Sequence, residues 1–262
     1  MRASSFFFLM LILFAKGTKS QTPDQALQLS DSGQYIVLPS TGPFDYAGAS
    51  VFTIEATCFY KGGKTNSSIF GKSFSGLGTL QIGFFIDAVS GKLVYAQDRF
   101  GSTGWQTILT SKNPFPLNRW VHVALVKSGL TVKLFIDGAV DTTGTVNKFG
   151  SMSKNSTGPT YIGKSPMGEG FAGSIDEFRI WNAPIRDYVV KSWRRGRMMD
   201  HLHPMAASLV ACYHMDEGSG QVLMDCSPSI RGGGASHTAI AMGNPVWVKH
   251  EEPSTFVVDD KF

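Results

Sequence analysis

Few side chains in this sequence sit at spacings that would support catalysis. Gly62-Gly63-Lys64-Thr65 has the end of a phosphate-cradling loop, but the first glycine that such a loop needs falls on Cys58. His201 and His203 would share one face of a strand and could bind a metal, yet no third ligand is spaced nearby. His122 is a base or ligand by type. With no carboxylate or cysteine at useful spacing, it reads as a polar position facing solvent or a neighbouring strand. There is no G-x-S-x-G elbow, and no nucleophile has an evident base. The pattern assigns no catalytic residue.

Binding chemistry is better represented. Sugars pack on aromatic faces and hydrogen-bond to planar polar groups. Tyr95, Arg99, Phe100 and Trp105 lie close together in a Gly-bounded stretch with Asp98 and Gln106, which makes them the candidate ligand site. The alternative is that Trp105 starts a strand and belongs to the core. Asn66-Ser67-Ser68 and Asn155-Ser156-Thr157 are N-glycosylation sequons in loop-like surroundings, with Asn66 and Asn155 as acceptors. Cys58, Cys212 and Cys226 permit one disulfide. Cys212 with Cys226 closes a short loop. Cys58 has the parity of Phe52, Ile54 and Ala56 and would face the core, although a bridge from Cys58 to the C-terminal segment stays open.

Residues 1–20 read as a secretory signal: Arg2 first, then an apolar run of about ten residues, then small residues up to Ser20. The run is shorter than the roughly 20 residues of a spanning helix, and no later stretch is long and apolar enough to span. The expectation is therefore a secreted, extracellular protein. Losing Arg2, Lys16 and Lys19 with the signal takes 24 basic residues to 21, against 20 acidic ones, so nothing points to nucleic acid.

The elements that would carry these residues are short, Gly-punctuated and rich in Val, Ile, Phe and Thr, which favours an all-β sandwich over alternating βα units. Residues 171–181, FAGSIDEFRIW, alternate as a half-buried strand, with a parity change at Asp176-Glu177 that predicts a bulge or two buried faces. WVHVALV at 120–126 and VKLFID at 132–137 are strands built to pair with it, the second ending in the turn dipeptide Asp137-Gly138. Further strands are expected at 52–60, 69–72, 80–86, 92–97 and 107–110, and a loop-rich stretch at 138–160. Asn182 as N-cap, Pro184, and Ile185, Val189, Val190 and Trp193 at helical spacing predict one short helix over 183–196. Its basic end, Arg194 to Arg197, suits the helix dipole and also fits an Arg-x-x-Arg processing site.

FAGSIDEFRIW, LNRWVHVALV and VKLFID, together with the later LVACYHMDEGSG, Asp225-Cys226-Ser227 and Trp247-Val248, resemble the laminin-G-like jelly roll. This is a branch of the concanavalin A-like lectin and glucanase fold. The resemblance runs from Gln25 to Val248; one aromatic of the usual pattern is missing, since Thr57 stands where the family often has tryptophan. It implies an antiparallel two-sheet jelly-roll β-sandwich over residues 21–248, with 205–248 folding back to complete it and 249–262 a polar tail. Glucanases of that superfamily carry E-x-D-x-x-E on one strand. Here Asp176 could be the central aspartate, but Ser174 and Arg179 flank it, so the carboxylate pair is absent. Many related modules carry calcium. Asp176, Asp216 and Asp225 would be its ligands if the C-terminal turns dock beside the 171–181 strand; otherwise they are turn carboxylates. The functional expectation is a non-enzymatic module recognising a glycan or glycoprotein at a cell surface or in extracellular matrix. The alternative is a self-associating coat protein that binds no sugar.

Overall fold

The computed structural model describes residues 24–250 apart from 31–32, 40–43, 45, 47–49, 74–78, 99–103, 147–157, 196–201 and 228–236. In chain order the strands are β1 (Gln25–Leu29), β2 (Tyr35–Leu38), β3 (Val51–Tyr60), β4 (Ser67–Lys72), β5 (Ile82–Ile86), β6 (Lys92–Asp98), β7 (Trp105–Pro114) and β8 (Trp120–Ser128). Then come β9 (Thr131–Ile136), β10 (Ala139–Thr145), β11 (Thr160–Ile162), β12 (Gly173–Trp181) and the helix α1 (Asp187–Trp193). The chain ends with β13 (Leu209–Tyr213), β14 (Val222–Leu223), β15 (Ala239–Met242) and β16 (Val246–Lys249).

The strands form two antiparallel sheets. The first has the order β10-β9-β8-β3-β12-β1-β16, with β13 also on β12; the second has the order β14-β15-β2-β11-β4-β5-β6-β7. This is the all-β sandwich that the alternating segments imply, and the jelly roll that the laminin-G-like resemblance implies. Their inward faces close on one core that includes Ile54, Phe70, Phe84, Tyr95, Phe171, Phe178 and Tyr213. Each such side chain, fully buried, contributes about 1.5–3 kcal/mol. The segment after α1 supplies strands to both sheets: β13 and β16 to the first, β14 and β15 to the second.

The bulge predicted in β12 is present. Its register against β3 shifts between Asp176 and Arg179, and Glu177 has φ 47°. Two residues, not one, therefore separate the core-facing Ile175 and Phe178, so Asp176 and Glu177 both leave the core face. The bulge is also where one neighbour of β12 replaces another. Residues Gly173 to Ile175 pair with β1, and Phe178 to Trp181 pair with β13.

Two segments differ from expectation. The stretch read as loop-rich begins with β10, hydrogen-bonded to β9 through a turn in which Asp137 (φ 52°) and Gly138 (φ 75°) both take left-handed backbone. Its sequence hides it, because an exposed edge strand needs no apolar alternation. The helix starts at Asp187, not at 183. The Thr53 hydroxyl donates to the Ala183 carbonyl and accepts from the Ile185 N–H, which holds that segment against β3. Arg186, with extended backbone, then occupies the N-cap. Arg194 closes the other end by donating to the Lys191 carbonyl. Ile185, Val189 and Val190 pack with Ala124, Val126, Phe135 and Trp181, so α1 covers part of the outward face of the first sheet. Among the described residues no helix is long and apolar enough to cross a membrane.

Candidate functional site

The proposed aromatic site divides between two faces of one sheet. In β6, Leu93 and Tyr95 join the core, whereas Asp98 has the opposite parity and pairs with Trp105 on β7. Tyr95 is completely buried, and its hydroxyl donates to Gln97 Oε1 at 2.7 Å. It is a core residue and cannot meet a ligand beside Trp105, which corrects the sequence reading. Both parities of β6 are buried, so alternation could not say which one faces out. Arg99 and Phe100 lie outside the described residues. Trp105 is 41% exposed, which excludes the core role weighed for it.

Trp105 stands on the outward face of the second sheet, edge-on to Phe85 with ring centroids 6.5 Å apart. Thr107 and Thr110 are exposed at the adjacent outward positions of β7. An indole plane beside hydroxyls suits the C–H face and the equatorial hydroxyls of a pyranose. The sequence does not single out Phe85, Thr107 and Thr110; the outward parity of β7 that marks the threonines, and that of β5 that marks Phe85, are known only from the sheet.

The same face carries a second aromatic group, which is closed. Lys164 Nζ sits 3.8 Å from the centre of the Tyr35 ring, and Tyr161 packs edge-on to Tyr35. A sugar could stack there only by displacing the ammonium. Gly71 explains the nearby strap. A Cβ at that position would lie 2.5 Å from the Lys164 carbonyl oxygen and 2.7 Å from Pro166 Cδ, so only glycine lets residues 164–166 cross β4.

The three aspartates proposed for calcium do not converge. Among the described residues, none of the side-chain groups close enough to hold an ion contains two of them. Asp176 accepts from its neighbour Glu177 N–H at 2.7 Å and meets His250 Nδ1 at 2.6 Å. Asp216 accepts from Gln25 N–H. Asp225 accepts from the Cys212 and Ser227 N–H groups and meets His237 Nδ1 at 2.9 Å. Two of the three also face an imidazole, which is a poor neighbour for a hard cation that wants six or more oxygens. These residues do not fit calcium as a set.

Cys212 and Cys226 form a disulfide, and Cys58 is a buried free thiol. Burial, then the charge of Asp176, push that thiol up. Asn66 lies half-buried just before β4, its Oδ1 accepting from Ala88 N–H at 3.0 Å. Asn155 lies outside the described residues, as does His201.

Charged groups are buried beneath the outward side of the first sheet. Arg179 donates to Glu177 Oε2 at 2.6 Å, and Glu177 Oε1 meets His214 Nδ1 at 2.9 Å. Glu55 accepts from the Trp181 indole N–H at 2.9 Å and lies 3.6 Å from His122 Nε2. So His122 is buried beside a carboxylate on β3, one of the two surroundings expected for it. Burial opposes ionisation of Glu177, but the charges of His214 and Arg179 and their hydrogen bonds hold its carboxyl well below the usual range. Burial likewise opposes ionisation of Glu55, and His122, Arg179 and Trp181 prevail over it. Each carboxylate is occupied by protein donors.

His203 is placed to stay neutral. Its ring stacks on Trp181 and its Nδ1 accepts from the Met205 N–H at 3.1 Å, a bond that protonation would break. Burial lowers its pKa from 6.5 to about 4, with Glu55 pulling the other way and Arg179 adding to the fall. Both groups have folded pKa values below their unfolded ones, so each stabilises the fold at high pH and loses that contribution on acidification. His203 loses it between 6.5 and about 4, and Glu177 only below the ordinary carboxylate value. Urea midpoints measured against pH should therefore begin to fall below 6.5, and His203→Phe should remove that first decline. A wild-type midpoint that is flat down to pH ~4.5 would contradict this placement of His203.

Comparison with known proteins is consistent with the geometry. The Laminin_G_3 family model, described as concanavalin A-like lectin/glucanases superfamily, matches residues 30–188, more than half of the chain. No curated protein matches the sequence. Among solved structures, a candidate carbohydrate-binding protein from Bacteroides ovatus superposes with TM-score 0.64 at 19% identity, over 90% of this chain and 63% of its own. This chain thus spans less than two thirds of that protein's length. Domain 4 of an extracellular GH43 arabinanase from Geobacillus stearothermophilus, solved with arabinotriose, gives 0.50 at 19% identity, over 63% of this chain and 74% of its own. A heptameric SAP-like pentraxin from Limulus polyphemus gives 0.50 at 16% identity, over 66% and 83%. At such identities the likeness is one of fold.

Proposed function

The chain belongs to the concanavalin A-like lectin/glucanase superfamily, and from that premise we propose that it is a secreted, non-enzymatic module that binds a glycan against Trp105. The observation that carries the proposal is a strand tryptophan left 41% exposed on a sheet face, with Phe85 beside it and two threonine hydroxyls in line. The carbohydrate description of the Bacteroides ovatus protein and the arabinotriose held by the arabinanase domain support the choice of ligand class. The glycan belongs to a cell surface or extracellular matrix, free or on a glycoprotein.

The test is a glycan array probed with the mature protein from an oxidising host, in calcium and in chelator. Specific binding is expected in both, because the aspartates are engaged by protein donors. Trp105→Ala should weaken it by about thirty-fold, the roughly 2 kcal/mol of a central aromatic anchor, while leaving the unfolding transition in place. Specific binding that survives Trp105→Ala would move the site elsewhere.

One observation favours a second reading, self-association. Val222 (48% exposed), Ile240 (40%) and Met242 (39%) form an apolar row beside the two-residue edge strand β14. Absence of glycan binding, together with oligomers that grow with concentration in sedimentation velocity, would select that reading.

A further inference from the structure

Asp24, Asp176 and His250 come from three separate parts of the chain and meet on the outward side of the first sheet. Asp24 immediately precedes β1, Asp176 stands at the bulge of β12, and His250 immediately follows β16. Strand β1 lies between the other two and pairs with both, and the His250 N–H continues its ladder by donating to the Asp24 carbonyl. The ligand atoms of the three side chains all lie within 4.8 Å of one another. Asp176 is fully buried, His250 is 5% exposed, and Asp24 is half-buried at the solvent edge.

From this arrangement we propose a divalent transition-metal site, zinc foremost, formed by the Asp24 and Asp176 carboxylates and the His250 imidazole. The donor set selects the metal. Two carboxylate oxygens and one imidazole nitrogen suit zinc and its neighbours, whereas calcium and magnesium seek all-oxygen shells. The ring is already aimed: it stacks on Trp120 at 3.9 Å, with Nδ1 toward Asp176 Oδ2. The second oxygen of Asp176 is held by the Glu177 N–H. Such supports orient ligands before the metal arrives. Three protein ligands leave a fourth position for water on the side of Asp24. The metal takes the place of the proton between Nδ1 and Asp176; that proton leaves to solvent or, through solvent, to Nε2. The other group of this kind, Cys212, His214 and Cys226, has its two sulfurs joined to each other. Bound metal would tie both ends of the described chain to the central strand, so its effect is on stability and on the ordering of the two ends.

The test uses the full mature chain, freed of metal with chelator and titrated separately with zinc and calcium. Zinc is expected to bind one per chain by calorimetry and, at hundredfold excess over Kd, to raise Tm by about 5–10 °C, with calcium giving neither effect. Copper(II), as a paramagnetic probe, should quench part of the tryptophan emission, and Trp120→Phe should remove that part. His250→Gln and Asp24→Asn should each abolish the zinc effect. Asp24 is half-buried and its substitution keeps the fold, so the test stands even if His250→Gln unfolds. No heat and no Tm shift with zinc would overturn the proposal, as would zinc binding that survives Asp24→Asn, or calcium binding in its place.

Discussion

Arg179→Met should lower the free energy of unfolding by about 3–5 kcal/mol, the range found when one partner of a buried charge pair is removed. The arginine is 2% exposed and donates to Glu177 Oε2 at 2.6 Å; the side chain of Glu177 is itself only 5% exposed. Methionine fills much of the same volume, so little of the loss is a cavity. What remains is a carboxylate deprived of one of the two charges that offset its burial, His214 being the other. The carboxyl of Glu177 should then titrate higher, closer to its unfolded value, so its share of the acid decline in stability should become smaller. Adding Glu177→Gln should recover a large part of the loss, because the stranded charge is gone. The measurement is a double-mutant cycle by urea unfolding at neutral pH. A loss under about 1 kcal/mol for Arg179→Met, the value of a surface pair, would show that this group is solvated in solution.

The difficulty of reading this cluster from sequence has a physical origin. The fold itself is legible, because β3, β8, β9 and β12 alternate clearly, and the parity change in β12 marks its bulge. The same parity change left two buried faces open as an alternative, and β12 is buried along its whole length, under α1 and the C-terminal segment. Its polar residues are satisfied by partners far away in sequence: Glu55 for Trp181, His250 for Asp176. No local pattern encodes such pairings. The calcium expectation failed for the same reason. It treated Asp176 on its strand and Asp216 and Asp225 in the C-terminal turns as available oxygens, and each has a backbone or histidine partner. At the aromatic site, Trp105 was identifiable by type, but Tyr95 was not separable from it, because both faces of β6 are apolar enough to be buried.

Replacing Cys212 and Cys226 together by serine should cost about 3 kcal/mol, the entropy of freeing a loop of this length in the unfolded chain. The bridge closes 14 residues. Inside them lie the turn that places Asp216 against the Gln25 N–H and Glu217 against the Met224 N–H, followed by β14. Asp225 accepts from the Cys212 N–H beside the bridge, and the Cys226 N–H donates to the Cys212 carbonyl. Those bonds survive the substitution, so the native structure should persist with a lower urea midpoint. Hydrogen exchange should quicken first in 212–226. Trp105 lies on β7 and the loosened segment on β14, at opposite ends of the second sheet. Glycan affinity at Trp105 should therefore be unchanged in the double variant. An unchanged midpoint would show that the bridge does not form in solution. A loss of glycan binding with the fold intact would show instead that the ligand reaches the C-terminal segment, and the site would have to be redrawn to include that end of the sheet.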